Sequence, residues 1–256
     1  MDERERAEGW RSSAAHVTVP AVLAAVPALK LSWTLGGGGA ARDALAVMGP
    51  GNWFDIITDM FLFEPLLATV LAVVVSHAVY AYIAARGGAA ARRNTPAPAV
   101  AGIAALVPAA LALVVGSFNG VWWGLACGVL AYVVRLGVIA EYATGRRHAT
   151  TGRRSKEKAG TRLQRAADVL WIAVLVLGVV VLPLLSLTAA VDGRSWAGVV
   201  RCDVDTGGGA ERARMIELER KGDGVVGWDI THGEVANGNR CATDEDDVVR
   251  APWWRG

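Results

Sequence analysis

Five times along this chain, about twenty residues pass with scarcely a charge, the length a helix needs to cross the ~30 Å hydrocarbon core of a bilayer. The runs cover about 14–35, 62–85, 99–118, 121–140 and 169–191. Three contain long stretches with no formal charge: TVLAVVVSHAVYAYIAA, AVAGIAALVPAALALVV and VLWIAVLVLGVVVLPLLSLTAAV. The first run is interrupted by Pro20, Pro27 and Lys30. Lys30 lies near the run's end, within reach of water by snorkelling. A cleaved signal peptide is the rival reading of this run. Against it, the block is longer than a usual apolar signal region, and the preceding MDERERAEGWR is net neutral. The fourth run contains Arg135, about five residues from its far end, and snorkelling is expected there too. Pro65, Pro108 and Pro183 are each placed to kink a helix.

After residue 191 the pattern changes from long apolar blocks to short alternating ones. WAGVVRCDVD (196–205), RARMIELER (212–220) and VVGWDIT (225–231) read as strands, and KGDG (221–224) as the turn between the last two. The pattern therefore predicts an α-helical polytopic membrane protein with about five transmembrane helices and a small C-terminal extracytoplasmic β-rich domain. Its parts are an N-terminal arm (1–13), a transmembrane domain (14–191) with a basic loop (141–168), and the β domain (192–256). Before the second run, GNWFDIITDMF (51–61) is amphipathic at helical spacing. Trp53, Phe54, Ile57 and Phe61 fall on one side and Asp55 and Asp59 on another, as in a segment lying at a membrane interface.

Composition agrees with this pattern. Hydrophobic residues make up 53% of the 256, above the usual share of about 45–50% in soluble domains. Arginine outnumbers lysine 22 to 4, which reads as GC-rich bacterial coding. The net charge of +2 carries little information, but its distribution carries more. Residues 1–15 hold Arg4, Arg6 and Arg11, and residues 36–60 only Arg42. Arg86, Arg92 and Arg93 follow the second run, and the turn after the third has no basic residue. Residues 141–168 hold eight basic residues against three acidic. Basic and non-basic segments alternate, and cytoplasmic loops are the ones that keep Lys and Arg. The expected address is the bacterial cytoplasmic membrane, multi-pass, with the N-terminus inside and the C-terminus outside.

Within the basic loop, Arg146, Arg147, Arg153, Arg154, Lys156 and Lys158 are expected to lie against anionic lipid or another anionic partner. Nucleic acid would want the same charges, but no aromatic residues interleave them and no DNA-binding module surrounds them. The expected partners are the lipid bilayer and other membrane proteins or a second copy of the chain. In the fourth run Gly120, Gly124 and Gly128 recur at four-residue spacing, a small face that lets backbones approach. Packing within the chain is the plain reading of that face, and self-association the sharper one. In the second run Thr69, Ser76, His77 and Tyr80 share a broad polar face. With Arg135 they are the candidates for transport or proton transfer, against simple interhelical hydrogen bonding.

Outside, acidic residues outnumber basic ones 13 to 9 in residues 192–256. Cys202 and Cys241 are expected to form a disulfide, which an oxidising compartment permits. Cys127, inside a span, reads as a small buried apolar residue. The acidic DVD (203–205) and DEDD (244–247) have no EF-hand spacing and read as solvated faces. The terminal Trp253 and Trp254 beside Arg255 suit the outer membrane interface. No cofactor or metal is expected. The sequence contains no Walker-A loop, GxGxxG after a strand, GxSxG, HExxH or CxxC. The inner loops are too short for a nucleotide-binding domain. These points argue against an enzyme. The expectation is a non-catalytic membrane scaffold or accessory subunit of a bacterial envelope machine, such as a secretion or conjugal DNA-transfer assembly. The alternatives are a small oligomeric transporter or channel and, third, a membrane-embedded enzyme.

Overall fold

The computed structural model describes residues 25–86, 97–143, 161–205 and 209–255. The basic-loop residues Arg146, Arg147, Arg153, Arg154, Lys156 and Lys158, and the first half of the first apolar run, lie outside them. The chain divides into two compact units, Phe61–Leu185 and the pairing of Met1–Met60 with Ser186–Gly256.

Four of the five apolar runs are helices long and apolar enough to cross a membrane. They are α4 (Pro65–Ala85), α5 (Ala97–Asn119), α6 (Val121–Ala143) and a last helix running from α7 (Thr161–Val176) through a π turn (Leu177–Val181) into α8 (Leu182–Ala190). The first run is described only from residue 25, where helix α1 occupies 25–34. Apolar side chains such as Leu113, Val121, Trp122 and Val179 stand largely exposed on these helices. A water-soluble fold would bury such surface, whereas hydrocarbon accepts it.

Each proline has a local outcome. Pro65 starts α4 instead of kinking it, since at the first position its missing N–H costs nothing. Pro108 stays inside a continuous α5. Pro183 cannot donate to the turn before it, and there the last helix widens into the π turn. The α5–α6 hairpin turns at Gly120, whose φ of 91° suits glycine. Gly120 therefore sits outside α6, not on its face as the spacing implied. Beyond the turn, a Cβ on Gly124 would stand 2.5 Å from the Ala112 carbonyl oxygen, and one on Gly128 2.8 Å from the Ala112 Cβ. These two glycines are used up in packing α6 against α5 of the same chain. Asn119, at the end of α5, donates from Nδ2 to the Leu62 carbonyl at 2.7 Å and so ties the hairpin to the segment before α4.

In the other unit, α2 (Gly38–Val47) and α3 (Pro50–Thr58) follow α1, and a π turn (Asp59–Phe63) ends α3. On the predicted interfacial side, Phe54 and Ile57 are exposed, whereas Phe61 is buried. Four antiparallel strands then close into a barrel: β1 (Val199–Asp205), β2 (Ala210–Lys221), β3 (Gly224–Asp229) and β4 (Glu234–Thr243). The three expected strands are present, but the meander becomes a closed barrel because β4 also pairs with β1. Inward-facing Val200, Cys202, Val204, Ala213, Met215 and Val225 form its core. Closure leaves no free sheet edge to manage. Opposite Cys202 the β1–β4 register shifts. Arg240, with φ 49°, takes up that shift. Cys241 then bonds to Cys202 as the predicted disulfide.

Candidate functional site

The polar residues of the spans divide into separate groups. Thr69 donates to the Pro65 carbonyl of its own helix at 2.7 Å, satisfying the first turn of α4. Two to three turns on, Ser76 and Tyr80 meet Arg135 of α6. The Arg135 Nε donates to Ser76 Oγ at 2.8 Å, Nη2 to the Ser76 carbonyl at 3.2 Å and Nη1 to the Ala104 carbonyl of α5 at 3.2 Å. Its guanidinium lies 4.8 Å from the centre of the Tyr80 ring. A planar fork of donors can meet acceptors on two neighbouring helices at once, which an ammonium group cannot do as well.

Arg135 is 2% exposed, so it does not snorkel. The apolar run ended near residue 140, but α6 continues to Ala143. The guanidinium instead turns inward, onto Ser76 of α4 and the Ala104 carbonyl of α5. An Arg at the centre of a membrane helix costs about 2.5–3.5 kcal/mol on insertion scales. Three hydrogen bonds and an aromatic face offset that cost here, with no carboxylate paired to Arg135 among the described residues. His77, next to Ser76 on α4, is also buried, and the Tyr80 hydroxyl is buried without a hydrogen-bond partner. Of the five polar candidates, the structure gathers Ser76, Tyr80 and Arg135, places His77 next to Ser76, and leaves Thr69 apart. Chemically the cluster clamps three helices and holds a buried cation.

A second polar assembly, absent from the sequence reading, joins distant parts of the other unit. Lys30 of α1 donates from Nζ to Asp192 Oδ1 at 2.9 Å and to the Ala189 carbonyl at 3.0 Å. It is buried and does not snorkel. Asp192 also accepts from the Arg194 amide, and Thr34 donates to the Lys30 carbonyl. Near the C-terminus, Arg250 donates to the Trp33 carbonyl and its guanidinium stands 4.7 Å over the Trp33 ring. No short-range pattern could announce contacts between residues more than 150 positions apart.

On the barrel, Asp244 accepts from Arg201 Nε at 3.1 Å and from Arg214 Nε at 2.7 Å. The Arg201 hydrogen bond, helped by that of Arg214, holds its carboxyl below the usual carboxylate range. The DEDD segment is thus partly engaged in ion pairs within the barrel unit. Among the described residues no His/Cys/Asp/Glu group could hold a metal ion. In the β3–β4 turn, the buried Asp229 accepts from the Thr231 and His232 amides and, at 2.8 Å, from His232 Nδ1. Burial pushes the Asp229 carboxyl up, but these hydrogen bonds outweigh it and the net shift is downward from 3.8. The Asp229 hydrogen bond and charge raise His232 above 6.5. Asp229 therefore contributes stability above about pH 3.8, lost as pH falls through its depressed value. The histidine contributes below about pH 6.5, and its share is lost as pH rises through its raised value. Barrel stability should peak between those limits, and His232→Gln should flatten the alkaline flank and, by removing the ring's hydrogen bond and charge from Asp229, also weaken the acid one. Amide exchange in β3 and β4 across pH 5–9 checks this, and an unchanged alkaline slope in the variant would refute it.

No protein-family model, curated protein or solved structure matches this chain.

Proposed function

We propose that this chain is a non-catalytic integral protein of the bacterial cytoplasmic membrane. In this reading it is a scaffold or accessory subunit that presents a disulfide-closed barrel outside the membrane to other envelope proteins. The observation that carries the reading is the attachment of the barrel. Lys30, Asp192, Arg194 and Arg250 tie the end of α1, the end of α8 and the barrel into one unit. This polar chemistry serves placement, as a mounting platform requires.

Several points support the orientation. Four crossings return the chain to the side it left, so residues 36–60 and the barrel share a side. They also share a compact unit. The Lys and Arg distribution puts that side outside, and the disulfide persists in an oxidising compartment. A secretion or conjugal DNA-transfer assembly is the kind of machine such a part would serve, with the basic loop facing lipid or anionic cargo. The buried Arg135 cluster favours one second reading, a small transporter or channel whose pathway passes Ser76 and Tyr80.

Two measurements test the proposal. On intact cells a membrane-impermeant maleimide should label Ala210→Cys and leave Thr150→Cys untouched, and the reverse result would overturn the orientation. The gently extracted complex should contain a second polypeptide at fixed stoichiometry. A pure homo-oligomer that passes small solutes, and fails to after His77→Ala, would replace the scaffold by the channel.

A further inference from the structure

The outer surface of the barrel is charged, and its exposed large apolar side chains are confined to its last few residues. Among described residues after 190, those side chains are Val248, Trp253 and Trp254. The same segment is bound to the place where the chain leaves its last apolar helix. The Trp253 amide donates to the Val191 carbonyl at 3.3 Å. The Val249 and Arg250 amides both donate to the Gly193 carbonyl, at 3.0 and 3.1 Å. Gly193 has φ 79°, and the Arg250 carbonyl occupies the position where its Cβ would be, so the close contact requires glycine. The Arg250 side chain fastens the segment to Trp33 at the end of α1. Asp244, at its start, is held by Arg201 and Arg214.

We infer that residues 244–255 form a strap whose indole pair, Trp253 and Trp254, is embedded in the phospholipid headgroup layer and holds the barrel against the bilayer. The depth follows from the backbone. The apolar helix ends at Ala190, and Trp253 is hydrogen-bonded one residue beyond that end. Indoles favour that level, where the ring meets acyl chains and the N–H meets water and headgroups. Both rings are more than half exposed in a short 3₁₀ turn, Trp253–Arg255. Arg255 follows as a partner for lipid phosphate. A polar barrel has little other reason to keep two exposed tryptophans at this depth. The inference rests on the membrane reading, and the controls separate the two.

The test uses the full chain in nanodiscs containing phosphatidylcholine and phosphatidylglycerol. A nitroxide is placed on Trp254→Cys in a Cys127→Ala background, with Leu113→Cys on α5 and Arg220→Cys on the barrel as controls. The label at 254 should collide several-fold more often with oxygen than with a water-soluble nickel chelate, and the label at 220 should do the opposite. If 254 behaves like 220, the strap lies in water and the inference is wrong. If 254 is shielded from both reagents, a partner or a second copy covers the indoles and the inference is again wrong. If 113 itself is reached by nickel, the membrane reading fails first. In the unlabelled protein, a doxyl lipid should quench less of the total emission after Trp253→Phe/Trp254→Phe. Unchanged quenching would count against the strap independently of the labels.

Discussion

Replacing Cys202 and Cys241 together by alanine should cost the barrel about 4 kcal/mol. The bond joins residues 39 apart, and closing a loop of that length in the unfolded chain is worth ~4 kcal/mol in the chain-entropy model. The barrel has few other reserves. Its core is a handful of residues, Val200, Cys202, Val204, Ala213, Met215 and Val225 among them, and a domain of this size is marginal without a staple. The bridge also sits at the β1–β4 seam that closes the barrel. Losing it removes the covalent tie at the pairing with the longest sequence separation. Every 1.4 kcal/mol is tenfold in an equilibrium constant. Protection of β1 and β4 amides against exchange should therefore fall by up to about a thousandfold, while α4 to α6 keep theirs. Reduction of the wild-type protein should act in the same direction. Equal protection in the variant would mean that the bridge is incidental to the barrel.

The parts of this protein that the sequence reveals are those fixed by composition over a window. Four helices long and apolar enough to cross a membrane are legible because hydrocarbon demands about twenty apolar residues whatever their order. The disulfide is legible because two cysteines stood alone in the tail. β4 was not, because its buried inward position is Gly238, packed against Cys202 and Met215. A strand whose core position is glycine shows no apolar alternation. Arg135 is visible in the sequence, but its burial is not. Hydropathy marks a charge within a run but not the direction its side chain takes, and Arg135 turns inward onto Ser76 and Ala104. Its partners Ser76 and Tyr80 share a polar face that is legible in the sequence, but the face does not show that it meets Arg135. The Lys30–Asp192 pair lay beyond any local pattern.

That ion pair is the basis of the second large effect. Asp192→Ala should destabilise the unit containing the barrel by about 3–5 kcal/mol, the usual result of leaving one buried charge unpaired. The Lys30 side chain is 4% exposed, against 17% for Asp192. Without the carboxylate its ammonium would keep only the Ala189 carbonyl, an acceptor at the end of α8 where a cation is favoured but not neutralised. Removing the cation instead, with Lys30→Met, should cost less, because the more exposed Asp192 can take water and still accept from the Arg194 amide. The double variant Lys30→Met/Asp192→Asn keeps that amide contact and buries no charge, so it should recover most of the loss. The sign of the coupling is what matters, since a buried pair can be replaced by apolar groups at little cost, while half of it cannot be removed cheaply. Amide exchange across residues 191–205 and α1 reads all three variants. If Asp192→Ala and the double variant lose the same protection, the pair does not fasten α1 to the end of α8, and the mounting of the barrel must be sought in Arg250 and Trp33 alone.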